Sequence, residues 1–174
     1  MKNAQSKKSF SGWLPASLWL IPFLLIPFQA HGSIIPIDLK AFFADYSVTV
    51  ATDGRSAVME EDPGLSPVLL SNDPYLGAPG INVPDNLLGL GFTYSFSLGE
   101  GNYDNFYAKV FNGVTGDILA DSPFPTESSS AGTILWDLSG IDPAISLLGL
   151  EFQLNSYSGD WLYDSVVTIK NPHL

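Results

Sequence analysis

Between Leu88 and Leu98 the chain alternates large apolar with small or polar side chains without a slip. Leu88, Leu90, Phe92, Tyr94, Phe96 and Leu98 fall on one side; Gly89, Gly91, Thr93, Ser95 and Ser97 fall on the other. A second run, LLGLEFQLNS at 147–156, sets Leu148, Leu150, Phe152 and Leu154 against Gly149, Glu151, Gln153 and Asn155. A period of two is that of an extended strand with one face buried. Beyond the N-terminal segment no stretch carries the 3.6-residue period of a helix. Shorter runs predict strands at 38–43, 47–51, 57–60, 68–70, 106–111, 117–120, 133–138 and 165–169. Turn signals separate them: Asp53-Gly54, Asp62-Pro63-Gly64, Ala78-Pro79-Gly80, Asn112-Gly113 and Ser139-Gly140. NGVTGD between 106–111 and ILAD reads as a hairpin, and SPFPTESSSAG (122–132) reads as a low-complexity loop. Nine or ten short strands with clean inward and outward faces predict an all-β fold, two antiparallel sheets packed as a jelly-roll-like sandwich.

The first 32 residues read differently. Lys2, Lys7 and Lys8 precede the apolar run WLPASLWLIPFLLIPF (13–28), and small residues Ala30 and Gly32 follow. This is the layout of a secretory signal peptide cleaved after Gly32 or Ala30. The run has 16 residues and is interrupted by Pro15, Pro22 and Pro27, whereas a spanning helix needs about 20. The expectation is a signal peptide at 1–32 and a single β-sandwich domain at 33–174, secreted or periplasmic, with no stable membrane anchor. A domain of roughly 140 residues is long enough for a sizeable core, and it must manage without disulfides, since the chain has no cysteine.

Charge narrows the partners. Residues 1–32 hold three of the 7 basic residues and none of the 18 acidic ones, leaving 4 against 18, a net charge of −14. Nucleic acid and anionic lipid would repel such a surface; divalent cations and neutral polyhydroxylated partners would not. His173 is the one histidine past residue 32, so Cys–His nucleophiles and multi-histidine or thiolate metal sites are excluded. There is no Walker-type loop and no dinucleotide fingerprint.

The segments LLSNDPYLGAPGI (69–81), TILWDLSGI (133–141), LLGLEFQLNS and SVVTIKN (165–171) resemble the mature domain of small exported bacterial proteins associated with the PEP-CTERM sorting system. The resemblance implies a secreted β-sandwich in a group linked to exopolysaccharide and biofilm matrix, and it supplies no catalytic residues. That group ends in a Val-Pro-Glu-Pro-like motif, an apolar helix and an Arg cluster. Here KNPHL follows the last predicted strand, so the expectation is free secretion.

Three kinds of site are open to these residues. Calcium wants several carboxylate, amide and carbonyl oxygens. MEEDPG (59–64) and GDWLYDS (159–165) lie at opposite ends of the domain, and in a jelly roll the first and last strands lie close. Glu60, Glu61 or Asp62 would then meet Asp164 around one structural Ca²⁺, with Asn72 and Asp73 of SNDP (71–74) as further ligands; alternatively Asp62-Pro63-Gly64 and Asn72-Asp73-Pro74 are plain turns whose Asp and Asn bond the backbone and need no ion. A glycosidase needs two carboxylates about 5–9.5 Å apart, for which Glu60, Glu61, Asp62, Glu100, Glu151 and Asp164 are candidates. A polysaccharide-binding surface uses aromatic platforms with amides and carboxylates for the hydroxyls. Tyr157, Trp161 and Tyr163 with Asp160, Asn155 and Gln153 are the best such set, and Tyr103, Asn105 and Tyr107 a second. Parity supplies the opposite account: Trp161 and Tyr163 share odd numbering with Val167 and Ile169, which in one continuous strand turns the rings into the core. The same argument puts Trp136, between Ile134 and Leu138, in the core. The expected function is a non-catalytic exported protein with a matrix or carbohydrate-binding role; a carboxylate-based glycan-active enzyme and a purely structural protein-contacting role are the alternatives.

Overall fold

Among the described residues eleven strands form, and their pairing is antiparallel throughout. The computed structural model describes residues 34–62, 64–65, 67–99, 104–122, 128–156 and 165–174. In chain order the strands are β1 (Phe43–Ala44), β2 (Val48–Val50), β3 (Ser56–Glu60), β4 (Val68–Ser71), β5 (Ile81–Asn82), β6 (Gly89–Ser97), β7 (Asn105–Asn112), β8 (Ile118–Asp121), β9 (Ser130–Asp137), β10 (Leu147–Asn155) and β11 (Val166–His173). Sheet I has the order β1-β4-β10-β7-β8, with β5 beside β4 on the same edge of β10; sheet II has the order β2-β3-β11-β6-β9. Only β2–β3 and β7–β8 are consecutive strands that pair with each other. Everywhere else the chain crosses between sheets or skips a neighbour, as the predicted sandwich requires. Among the described residues no helix is long and apolar enough to cross a membrane.

The inward faces are those of the two long alternating runs. Leu148, Leu150, Phe152 and Leu154 of β10 meet Leu90, Phe92 and Phe96 of β6, all buried. Phe152 stands at the centre. Its ring meets Phe92 of the opposite sheet edge to face at 4.9 Å and stacks with Phe106 at 6.5 Å. Such aromatic pairs add about 0.5–1.5 kcal/mol beyond area burial. Trp136 is buried, 5.4 Å from Phe92, and its indole N–H donates to the Asp121 carbonyl at 2.9 Å. That bond joins an edge of sheet II to an edge of sheet I. The inward placement of Val167 and Ile169 also follows parity, and both are fully buried.

Four local expectations are corrected. Leu88 is 64% exposed, because β6 begins one residue later and the Leu88 carbonyl accepts from Leu138 N–H at 3.0 Å; Leu87 packs against the core in its stead. Residues 38–43 are not one strand. Asp38 accepts a hydrogen bond from Lys40 N–H and caps a short 3₁₀ turn, Leu39–Ala41, with only Phe43–Ala44 extended. The stretch read as loop up to residue 132 is strand from Ser130, since Ser130, Ala131 and Gly132 find partners in Phe96, Ser95 and Tyr94. The last strand runs to His173 rather than 169, with an irregularity between Lys170 and His173. There Asn171 adopts a positive φ of 51°, a conformation asparagine tolerates better than most residues. The 106–121 hairpin forms as expected, closed by Asn112 N–H to Asp117 O at 2.8 Å.

Candidate functional site

The outward residues of β10 occupy the middle of sheet I, and register decides what stands beside each. Glu151 lies between Ser71 of β4 and Lys109 of β7; Gln153 lies between Leu69 and Tyr107; Asn155 lies opposite Asn105. Gly149 pairs with Phe111, and here only glycine fits: a Cβ would come within 2.2 Å of the Phe111 ring. The face therefore runs from an apolar end, through an ion pair, to a row of amides.

Glu151 is an outward residue that water hardly reaches, 6% exposed. Ser71 Oγ donates to its Oε2 at 2.9 Å, Lys109 Nζ approaches Oε1 at 2.8 Å, and the Gln153 amide donates to Oε1 as well. Burial pushes the Glu151 carboxyl up, but the Lys109 ammonium and the Gln153 and Ser71 hydrogen bonds outweigh it and hold it below the ordinary carboxylate value. An ionised carboxylate whose oxygens are already engaged is a structural strut; it is a poor proton donor. Lys109 also lies 5.5 Å from the centre of the Phe111 ring.

Toward the other end, Tyr107 donates its hydroxyl to Asp121 Oδ2 at 2.7 Å, and Asn155 donates its amide to Asn105 Oδ1 at 2.8 Å. Tyr107, Gln153, Asn105 and Asn155 are all half-buried, each keeping atoms within reach of a ligand. Burial, the Asp121 hydrogen bond and the charges of Asp121 and Glu151 push the Tyr107 phenol up to about 12. An absorbance titration of tyrosinate is accordingly expected to show one phenol ionising near pH 12, missing in Tyr107→Phe. Since the folded value is raised, the stability it carries is complete below the unfolded value of about 10 and is lost as pH rises through the folded value. If the late step persists in Tyr107→Phe, the Asp121 bond is not its source.

Of the predicted sugar set, Gln153 and Asn155 lie on this face. Tyr157, Asp160, Trp161 and Tyr163 lie outside the described residues, as does Tyr103. The second predicted set joins the first: Asn105 and Tyr107 stand directly across from Asn155 and Gln153, although about 50 residues separate them along the chain. Sequence reasoning missed Ser71, Lys109 and Asp121 as partners. Lys109 left a signal, as a lone base at an outward position of a strand, but its pairing with Glu151 depends on the β7–β10 register.

The predicted metal residues are distributed otherwise. Glu60 is exposed at the end of β3, whereas its neighbour Glu61 is 5% exposed, as alternation along an extended chain requires. Glu61 and Ser165 exchange bonds: Glu61 N–H donates to Ser165 O at 3.0 Å, and Ser165 N–H donates to Glu61 Oε2 at 3.2 Å. Asp62 turns to Ser47 Oγ at 3.1 Å and Gly64 N–H at 2.7 Å. The Tyr46 hydroxyl foremost, then these donors, hold its carboxyl below the usual value against a smaller effect of burial. Asp164 lies outside the described residues. Among the described residues no three His, Cys, Asp or Glu side chains gather as a metal would need. Of the second acidic segment only Ser165 is described, and it lies beside Glu61 because β3 pairs with β11 from Glu60↔Val166 onward.

No protein-family model matches this chain, and no curated protein matches it. Among solved structures it is similar to an arabinose-bound GH51 α-L-arabinofuranosidase, at a TM-score of 0.40 and 14% identity, with 76% of this chain aligned to 21% of that one. The chain thus spans about a fifth of that enzyme's length. It is also similar to the C-terminal CBM6 of LamC, a marine laminarinase from Zobellia galactanivorans, at a TM-score of 0.36 and 12% identity, with 80% of this chain aligned to 100% of that one. Likeness at this level bears no functional weight.

Proposed function

We propose that this is an exported, non-catalytic protein of the extracellular matrix that binds a neutral polysaccharide along the outer face of sheet I. The observation that carries the reading is the convergence of Gln153, Asn155, Asn105 and Tyr107 at one end of that face. Carboxamides both donate and accept, which suits sugar hydroxyls, and a phenol ring offers an apolar edge beside them. The predicted aromatic segment 157–164 begins two residues after Asn155. Lys109 cancels the charge of Glu151, while the strongly acidic chain disfavours acidic polysaccharides.

Affinity electrophoresis of the protein through gels containing neutral glucans, xylan, arabinan and bacterial exopolysaccharide tests this. At least one polymer is expected to retard it without release of reducing sugar. The Gln153→Ala/Asn155→Ala variant should bind at least about tenfold more weakly, a loss on the order of 1.4 kcal/mol, while remaining folded. No retardation of the wild type by any polymer would move the reading to a structural, protein-contacting role. Turnover abolished by Glu151→Gln would make the protein an enzyme.

A further inference from the structure

The edge of a sheet offers unpaired backbone groups, and folds blunt it with short strands, lysine, proline or a bulge. Three of the edge strands here are short: β1 has two residues, β2 three and β8 four. β9 is the exception. It has eight residues, Ser130–Asp137, and among the described residues it pairs with β6 alone. Its register runs without a shift from Gly89↔Asp137 to Phe96↔Ser130, so no bulge bends it away. SAGTILWD holds no Lys and no Pro, and its one charge, Asp137, stands at the end.

The ladder also fixes which backbone groups of β9 turn outward. Leu138 N–H donates to Leu88 O at 3.0 Å, one step beyond the last β6–β9 pair. Opposed residues of an antiparallel pair are alternately bonded and non-bonded. Gly132, Ile134 and Trp136 therefore turn their N–H and C=O to β6, whereas Ala131, Thr133 and Leu135 turn theirs away. All three are exposed, and so is Gly132, whose accessible surface is main chain.

Residues 131–135 read Ala-Gly-Thr-Ile-Leu: two small side chains, one of middle size, then two large. Laid antiparallel on itself about Thr133, this stretch sets Leu135 opposite the second copy's Ala131 on the outer face. On the inner face it sets Ile134 opposite the second copy's Gly132. Each large side chain meets a small one, and opposed residues share a face, as pairing requires. The same register brings the outward backbone groups of Ala131, Thr133 and Leu135 onto those of Leu135, Thr133 and Ala131. The two Asp137 carboxylates then stand at opposite ends of the ladder.

We propose that β9 is a dimerisation edge, at which two copies of this chain pair β9 to β9 about a two-fold axis through Thr133 and join their sheets II into one continuous sheet. The self-matching order of sizes selects a second copy over a strand of another protein. An edge without charge along 130–136 lets two acidic chains approach there with the least repulsion. Pairing consumes the one long edge of each copy, so assembly closes at two. The axis is perpendicular to the joined sheet, so the outer faces of both copies' sheet I point the same way.

Sedimentation velocity of the full chain, from micromolar to hundreds of micromolar, is expected to pass from one copy to two. Thr133→Lys sets two ammonium groups opposite each other across the axis, where like charges are destabilising, and should weaken dimerisation at least about tenfold. The substituted side chain is exposed, so the dilute variant should melt close to the wild type. Cysteine reads the register, since the chain has none of its own. Thr133→Cys should close a disulfide across the axis on mild oxidation, the opposed Cα atoms being about 5.5 Å apart. Ala131→Cys should not, because the second copy's Ala131 lies four residues further along the ladder, about 13 Å away. A chain that stays single at every concentration overturns the proposal and leaves the edge to a strand of another protein. It is equally overturned if Thr133→Lys dimerises as the wild type does, or if Ala131→Cys cross-links as readily as Thr133→Cys.

Discussion

Phe152→Ala is expected to lower the unfolding free energy by about 3–5 kcal/mol, a fall in melting temperature on the order of 10–20 °C for a domain of this size. The side chain is fully buried on the central strand of sheet I. It touches the opposite sheet through Phe92 at 4.9 Å and its own sheet through Phe106 at 6.5 Å. Removing the ring loses its burial and both aromatic contacts, and leaves a hole between two sheets whose backbones are pinned by ladder hydrogen bonds and cannot collapse into it. Leu135→Ala is the matched control, on a side chain 74% exposed, where a change within about 0.5 kcal/mol is expected. Urea denaturation of both variants measures the contrast. A loss below about 1 kcal/mol for Phe152→Ala would mean that the two sheets do not meet through this ring.

The second large effect belongs to Lys109. In Lys109→Met, Glu151 keeps its burial and loses the ammonium at 2.8 Å. Breaking a fully buried pair from one side costs about 3–5 kcal/mol. The Lys109 side chain retains 24% exposure, so screening by water reduces the expected loss to about 2–3 kcal/mol at pH 7. The pH dependence identifies the cause. In the wild type the Glu151 carboxyl is lowered. Its contribution is therefore present above the unfolded value of about 4.3 and is lost as pH falls through the folded value. Without Lys109 two of the influences that lower the carboxyl are gone, its hydrogen bond and its charge, so the carboxyl lies higher than in the wild type and the variant gains on the wild type as the solution is acidified. The difference between the two should be largest at neutral pH and shrink toward pH 4. Glu151→Gln in the same background should restore most of the loss, since an amide needs no counter-charge. A difference that does not change with pH would show that Glu151 is not the group left uncompensated.

The strands themselves were legible because a buried face writes its period into the chain. Residues 148–154 and 90–96 alternate, and their large members are buried in the structure, Tyr94 partly so. Trp136 and the Val167–Ile169 pair followed the same alternation, each within its own strand. The misreadings lie at strand ends, where a cap or a neighbour outweighs the pattern. Asp38 captures Lys40 N–H and bends a run that looked extended, and β6 supplies a partner that turns Ser130–Gly132 from loop into strand. The candidate site was legible by halves: Gln153 and Asn155 were singled out with one set, Asn105 and Tyr107 with another.

By itself the sequence determined the period, the two faces of each long strand and the acidic net charge. These are local properties, set by the alternation of side chains along an extended backbone and by counting ionisable groups. Only the tertiary structure decided that Gln153 faces Tyr107, that Lys109 neutralises Glu151 and that Glu61 bonds to Ser165. Each joins elements far apart in the chain or depends on what packs around a strand end. Slipping a strand by two residues keeps every apolar side chain inward but changes every cross-strand partner. The register that creates these contacts is chosen by the packing of the whole core, and no single segment carries it.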